Sequence, residues 1–470
     1  MSGSFLKRTS QWNALAIAAG VLLAFSLFLG GASREHLVPL AAIELVALPV
    51  LGLGLYRLAA TGAWRDHRFL LALAGLAALL PLIQLIPLPF SLWASLPGRE
   101  GAVTALELAG ITPGWLPMSL TPDSTWQAFL AILPPVALLV AALGLKRQIL
   151  ARLIWGLLAF VIVAILLGAL QITINSRAVY PWETTNFGSL VGFFANRNHM
   201  ATLCLVAIPF AAALAGMGLG SRDRSANLRL WAGGLVIGLI IVALGAIQSR
   251  FGVLAAIPAL AGGVMIGWIS SGRSRPGPTI LLLFLGGAVG LAVVGLFALD
   301  PILDRFERDS QFEGRLDNWP IVAQAAQDFL PLGSGLGSFD PVYRSYEPVE
   351  TLRAAYFNQA HNDYLQLWLT TGWLGIALVV ATFVWWGRRS WSAWRAGSHR
   401  DRDLQRAASV ALLLIAAHSA GDYPLRTETI AVVFALCCAI LDGAARELRP
   451  GRSRRRAPSP SGQEATRRHT

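Results

Sequence analysis

The sequence predicts an all-α integral membrane protein, with about 12 transmembrane helices and one large helical loop on the outer side. Composition is the first ground: 55% of residues are hydrophobic, 14% are charged and the mean hydropathy is +0.57, which excludes an ordinary soluble domain. Spacing is the second, because apolar windows long enough to cross a bilayer recur through the chain. Charge is the third: the connections alternate between basic and acidic, as the bias of Lys and Arg towards the cytoplasmic side requires. The net charge of +12 therefore reads as membrane topology, and no nucleic-acid partner is expected.

The windows fall near 12–31, 37–59, 69–92, 126–145, 149–170, 199–220, 230–248, 251–271, 279–299, 364–386, 407–420 and 428–444. The first follows Lys7 and Arg8 in the manner of a signal peptide, but it is longer than an ordinary signal core and is read as an uncleaved span. One set of connections holds Lys7/Arg8, Arg57/Arg65/Arg68, Lys146/Arg147/Arg152, Arg222/Arg224/Arg229, Arg273/Arg275, Arg388 to Arg406 and the tail. It carries about 27 of the 38 basic residues and about 7 acids, against about 11 arginines and about 19 acids in the other set. The basic set, with both termini, is expected in the cytoplasm. The division that follows is nine helices over residues 1–299, an outer lid loop over 300–362, helices ten to twelve over 363–444, and a disordered basic tail over 445–470. That tail can touch anionic membrane lipids or serve only as a topological anchor. Cys204, Cys437 and Cys438 lie in apolar runs, so neither a disulfide nor a metal site is expected.

Three outer connections exceed a turn: 94–125, rich in Pro and Gly; 171–198; and the lid. Polar loops as long as the lid usually carry function. Within it Leu316, Trp319, Ala323, Ala326 and Leu330 recur at helical spacing, and Pro331-Leu332-Gly333 stops that helix.

Four residues at outer ends of spans are candidates for chemistry: Arg197, Arg250, Arg315 and His361. Imidazole suits proton transfer near neutral pH, and His361 sits where the lid meets the next apolar run. An arginine at such a position can simply snorkel towards lipid headgroups. Three of them against the charge bias suggest a shared anion, and the planar guanidinium fork suits phosphate.

Gly192-Phe193-Phe194-Ala195-Asn196-Arg197-Asn198, Ser249-Arg250, Gly314-Arg315 followed by Trp319, Gly335-Leu336-Gly337, and His361-Asn362 continuing to Gly372 and Gly375 together resemble the O-antigen ligase family, which shares its core with O-antigen and exopolysaccharide polymerases. The resemblance runs from about 180 to 440. It implies a GT-C-like membrane glycosyltransferase of the bacterial inner membrane, needing no metal or other cofactor. Its donor would be an undecaprenyl diphosphate-linked glycan and its acceptor a lipid or glycan hydroxyl, reached on the periplasmic face beneath the lid. It also implies roles: His361 as general base, Arg250 as holder of the diphosphate, Arg315 as a cation added from the lid, and Arg197, less securely matched, as a further contact. Asn196, Asn198, Asn362, His418 and Asp422 are possible support, the last two as groups that could orient His361 or an arginine, or merely meet at a helix end.

Two features invite over-reading. Gly333-x-Gly335-x-Gly337 has neither the strand nor the spacing of a phosphate loop and is expected to be a flexible turn. His199 follows Arg197 by two residues, faces away from it on a helix, and is taken as structural. Within the enzyme class, ligase and polymerase need the same base and cations. A multi-span transporter or flippase is the alternative of another class, though no related halves are visible and the intramembrane acid Glu44 stands alone.

Overall fold

The computed structural model describes residues 2–32, 37–184, 186–216, 224–270, 290, 310–352, 357–397 and 402–443. The expected ninth span near 279–299 (apart from residue 290), the start of the lid and the tail lie outside them. Among the described residues seven helices are long and apolar enough to cross a membrane: Leu37–Thr61, Pro122–Leu143, Arg147–Ile174, Arg197–Gly216, Asn227–Ile247, Arg250–Ser270 and Asp363–Arg395. Shorter apolar helices cover Ala14–Leu29 and Arg68–Gln84. Two more, Asp403–His418 and Glu428–Asp442, fall on the last two expected windows.

The Arg197–Gly216 helix is the axis of the bundle. It is apolar on every side and 94% of its apolar window is buried, because Arg224–Ile247, Arg250–Ser270 and Asp403–His418 all pack on it. Between apolar helices in a membrane, association depends on close van der Waals approach at small residues. Gly233 supplies one such approach, since a methyl there would overlap the Ala211 carbonyl and the Ala215 side chain.

Several boundaries differ from the expected windows. The third helix stops at Gln84 rather than near 92, because Pro87 and Pro89 cannot continue it. The chain instead forms a short antiparallel pair, Pro87–Pro89 with Trp115–Pro117, and helices Phe90–Ala94 and Glu100–Leu108. The Asp363–Arg395 helix runs past the expected 386, and the next begins at Asp403. Arg406 is therefore not a loop charge: it is fully buried, pairs with Asp403 at 2.8 Å and donates to the carbonyls of Ala393, Ala396 and Gly397 that end the long helix.

The described part of the lid has its own small core. The Ser310–Asp328 helix turns Val322, Ala325 and Ala326 inward, continued by Phe329, onto Phe339, Val342 and Tyr343 of the Phe339–Tyr346 helix and Leu369 of the long helix. The expected stripe was offset: Leu316 is exposed and Ala323 only half-buried. Beneath this layer lies Arg99, fully buried, its guanidinium 5.1 Å from the Trp93 ring and 5.7 Å from the Phe329 ring, and hydrogen-bonded to the Met118 carbonyl. Burial lowers its pKa to about 10.

The glycine triad of the lid is a clasp, not a flexible turn. Gly333, Gly335 and Gly337 all have left-handed φ and press against Thr370–Gly372, Ser119 and Ser124 respectively. The long helix is broken at Gly372 (φ 57°, ψ −144°), which frees backbone carbonyls. The clasp takes them up: Ser334 N–H donates to Leu369 O and Gly335 N–H to Thr370 O, each at 3.0 Å, while the Gln84 amide also donates to Thr370 O at 2.8 Å.

Candidate functional site

His361 is held from both sides in the chain. Before it, the Ala360 carbonyl accepts from Trp319 Nε1 of the lid helix at 2.8 Å, and the Ala360 N–H donates to Gln366 at 3.0 Å. After it, Asn362 caps the long helix, its side chain accepting from the N–H groups of Tyr364 and Leu365. The histidine between these anchors adopts φ 49°, a left-handed conformation that a non-glycine residue holds only where its surroundings over-determine it.

Its ring lies against Tyr423 (centroids 4.8 Å apart) and Phe357 (5.7 Å), and Nδ1 meets Asp422 Oδ1 at 3.3 Å. Asp422 stands between the Asp403–His418 and Glu428–Asp442 helices and is buried. Its other oxygen accepts from Asn198 Nδ2 at 2.6 Å, and Oδ1 also accepts from the Tyr423 N–H at 3.0 Å. Burial alone would raise the pKa of this carboxyl. The hydrogen bond and charge of His361, with the nearby His199 and His418, outweigh it and hold Asp422 below the usual carboxylate range.

Behind the carboxylate lies a second layer. His418 Nε2 is 3.9 Å from Asp422 Oδ2, its Nδ1 is hydrogen-bonded to the Thr202 hydroxyl, and its ring stacks on Phe251 with centroids 4.0 Å apart. His199 is buried edge-on to Tyr423 at 5.3 Å, so it borders this cluster. Asn198 Oδ1 accepts from the Ser249 hydroxyl at 3.0 Å. Asn196 accepts from the Asn198 N–H at 2.8 Å and so shapes the turn into the central helix.

Arg197 and Arg250 are the first residues of their helices, at the end of the bundle where His361 lies, and both are half-buried. Helix N-termini add partial positive charge to that of the side chains. Arg250 follows Ser249 and precedes Phe251, both of which touch the His361–Asp422 cluster through one intermediary. The Arg197 N–H donates to Asn186 Oδ1 at 3.2 Å. Arg315 lies on the lid helix Ser310–Asp328; its side chain is outside the described residues. Among the described residues no group of His, Cys, Asp and Glu has the geometry to hold a metal ion.

Of the residues singled out from sequence, His361, Asn198, His418 and Asp422 come together, Asn362 and Asn196 shape the backbone beside them, and Arg250 and Arg197 stand at the adjoining helix ends. Sequence reasoning gave no role to Thr202, Tyr423 and Phe251, and noted Ser249 only as the neighbour of Arg250. That adjacency was the one available signal.

Residues 234–380 match the family described as O-antigen ligase. That segment contains Arg250, Arg315 and His361, whereas Asn198, His418 and Asp422 lie outside it. No curated protein matches the chain.

Proposed function

From the premise that the chain is O-antigen ligase-like, through the match over residues 234–380, we propose that it transfers a glycan from an undecaprenyl diphosphate carrier to an acceptor hydroxyl on the periplasmic face of the inner membrane. The lipid A-core is the acceptor in this reading. The observation that carries it is the pairing of His361 Nδ1 with the buried Asp422 carboxylate. A neutral imidazole that donates from Nδ1 carries its lone pair on Nε2. Asp422 fixes that tautomer and steadies the imidazolium formed in turnover.

The step then balances. The acceptor O–H gives its proton to His361 Nε2, and its oxygen forms a bond to the anomeric carbon. The bond from that carbon to the diphosphate breaks, and the electron pair leaves with the phosphate oxygen. Arg250, with Arg315 and Arg197, meets the growing negative charge; one well-placed donor contributes about 3 kcal/mol in a dry site. Since arginines supply the charge, no metal is assigned to the step. Transfer is expected to persist in excess chelator, and loss restored by magnesium or manganese would mean that the site is misassigned.

The deciding experiment uses purified protein and a labelled undecaprenyl diphosphate-linked oligosaccharide. His361→Ala should lower the single-turnover rate by a factor of about a hundred to ten thousand while binding of undecaprenyl diphosphate holds. Arg250→Lys keeps the charge and loses the bidentate fork, so binding and turnover should weaken together. A wild-type rate for His361→Ala removes imidazole as the base. Offering lipid A-core or a second carrier-linked repeat as acceptor separates ligase from polymerase.

A further inference from the structure

The base proposed above and the arginine proposed to hold the donor are far apart in sequence, yet a line of hydrogen bonds joins His361 to the first turn of the helix that Arg250 begins. The Gly252 N–H donates to Ser249 Oγ at 3.2 Å, the Ser249 hydroxyl donates to Asn198 Oδ1 at 3.0 Å, Asn198 Nδ2 donates to Asp422 Oδ2 at 2.6 Å, and Asp422 Oδ1 meets His361 Nδ1 at 3.3 Å. The direction of each bond is forced. An ionised carboxylate only accepts, so Asn198 must turn its NH₂ to Asp422 and its oxygen to Ser249. Ser249 must therefore donate to Asn198, while its lone pair takes the Gly252 N–H that begins the Arg250–Ser270 helix. Ser249 and Asp422 are each 1% exposed, so these two groups depend on protein partners, while Asn198 and His361 are half-buried.

The backbone carries a second, independent mark. Three non-glycine residues have left-handed φ among the described residues: Asn175, Gln248 and His361. Asn175 and Gln248 directly follow the Arg147–Ile174 and Arg224–Ile247 helices and donate their N–H groups back to the Gln171 and Leu244 carbonyls, so both are left-handed C-caps. Only His361, at one end of the line, stands at no helix C-terminus. Strained backbone held at the His361 end of this hydrogen-bonded chain marks a place where position is being enforced.

We infer that Asn198 and Ser249 are positioning residues that tie the N-terminus of the Arg250 helix to Asp422, so that the seating of the donor's anionic group beside Arg250 sets the orientation of His361. This rests on the glycosyltransferase reading above. The partner of Arg250 in it is a phosphate-bearing donor, and the quantity transmitted is the position of Asp422.

The test uses full-length protein, the same labelled donor, and the variants Asn198→Ala, Ser249→Ala and Asn198→Ala/Ser249→Ala. Misplacing a base by a fraction of an ångström costs rate more than binding, so each alanine variant should lower kcat by roughly ten- to a hundredfold with the donor KM within about twofold. The double variant should be no slower than Asn198→Ala, because both changes cut one line. In a His361→Ala background neither change should lower the residual rate further. Additive losses or an effect confined to KM would each overturn the inference. Ser249→Ala removes a single oxygen and carries the test if Asn198→Ala fails to fold. A wild-type rate for His361→Ala brings down the underlying reading; an inactive His361→Ala with additive Asn198 and Ser249 variants brings down only the relay.

Discussion

A buried carboxylate stays ionised only where donors surround it, and Asp422 meets Asn198, the Tyr423 N–H and His361 within hydrogen-bond reach. Its pKa in the fold is depressed despite burial. The sign of the linkage follows: the stability it contributes is fully present above the ordinary value of 3.8 and is lost as pH falls below that towards the folded value. Asp422→Asn keeps the shape and removes the charge. Turnover should drop by a factor on the order of a hundred to ten thousand, because the amide no longer selects the Nδ1–H tautomer. Thermal unfolding of the purified variant should also lose part of the wild type's fall in Tm below about pH 4. Unchanged turnover would leave Asp422 as a packing residue and detach it from the histidine.

At the scale of elements, the lid is fixed to the bundle by backbone rather than by long side chains. Gly335, at φ 108°, lies so close to Ser119 that a methyl would overlap its side chain. Gly335→Ala should cost about 1–3 kcal/mol and lower Tm. It should also raise protease cleavage within 310–352 and reduce transfer, because the lid helix holds the Ala360 carbonyl beside His361. Gly114→Ala is the control, since nothing lies within 4 Å of an added methyl there. Equal Tm and cleavage for the two variants would dissolve the clasp. Most described helices were legible as apolar windows, because a spanning helix must satisfy its backbone internally and face lipid or other helices. The break at Gly372 was not, since glycine is common in membrane helices and its conformation here is set by Pro331, sequence-distant but adjacent in space. Neither were the three-residue strands, too short for any alternation to register. The site was legible in its types and not in its pairings. His361 stood out at a loop end and Asp422 as a group that could orient it or an arginine, but nothing local decides between the two, or says that Asn198 links that acid to Ser249.

The whole molecule has two polar ends joined by apolar packing. At one, His361, Asp422, Asn198 and Ser249 meet. At the other, Asp442 is buried and accepts from Trp385 and Arg389, with His67 Nδ1 2.6 Å away. The Asp363–Arg395 helix, with its break at Gly372, connects them. After that break, residues 373–395 span about 35 Å at 1.5 Å per residue, still more than the hydrocarbon thickness of a bilayer. Tryptophans gather near its second end: Trp385, Trp386 and Trp394 donate indole N–H bonds inward, while Trp391 is 62% exposed beneath the Arg395 guanidinium. Aromatic rings with arginine beside them suit a membrane–water interface. The segregation of basic residues predicts the direction, with the Arg395 end in the cytoplasm. A reporter fused after Arg344 should therefore read periplasmic, and one fused after Arg395 cytoplasmic. Both reporters on one side would mean that the long helix does not cross. The reverse pattern would keep the fold and move His361 to the cytoplasmic face, away from a carrier presented outside, and the glycosyltransferase reading would fall with it.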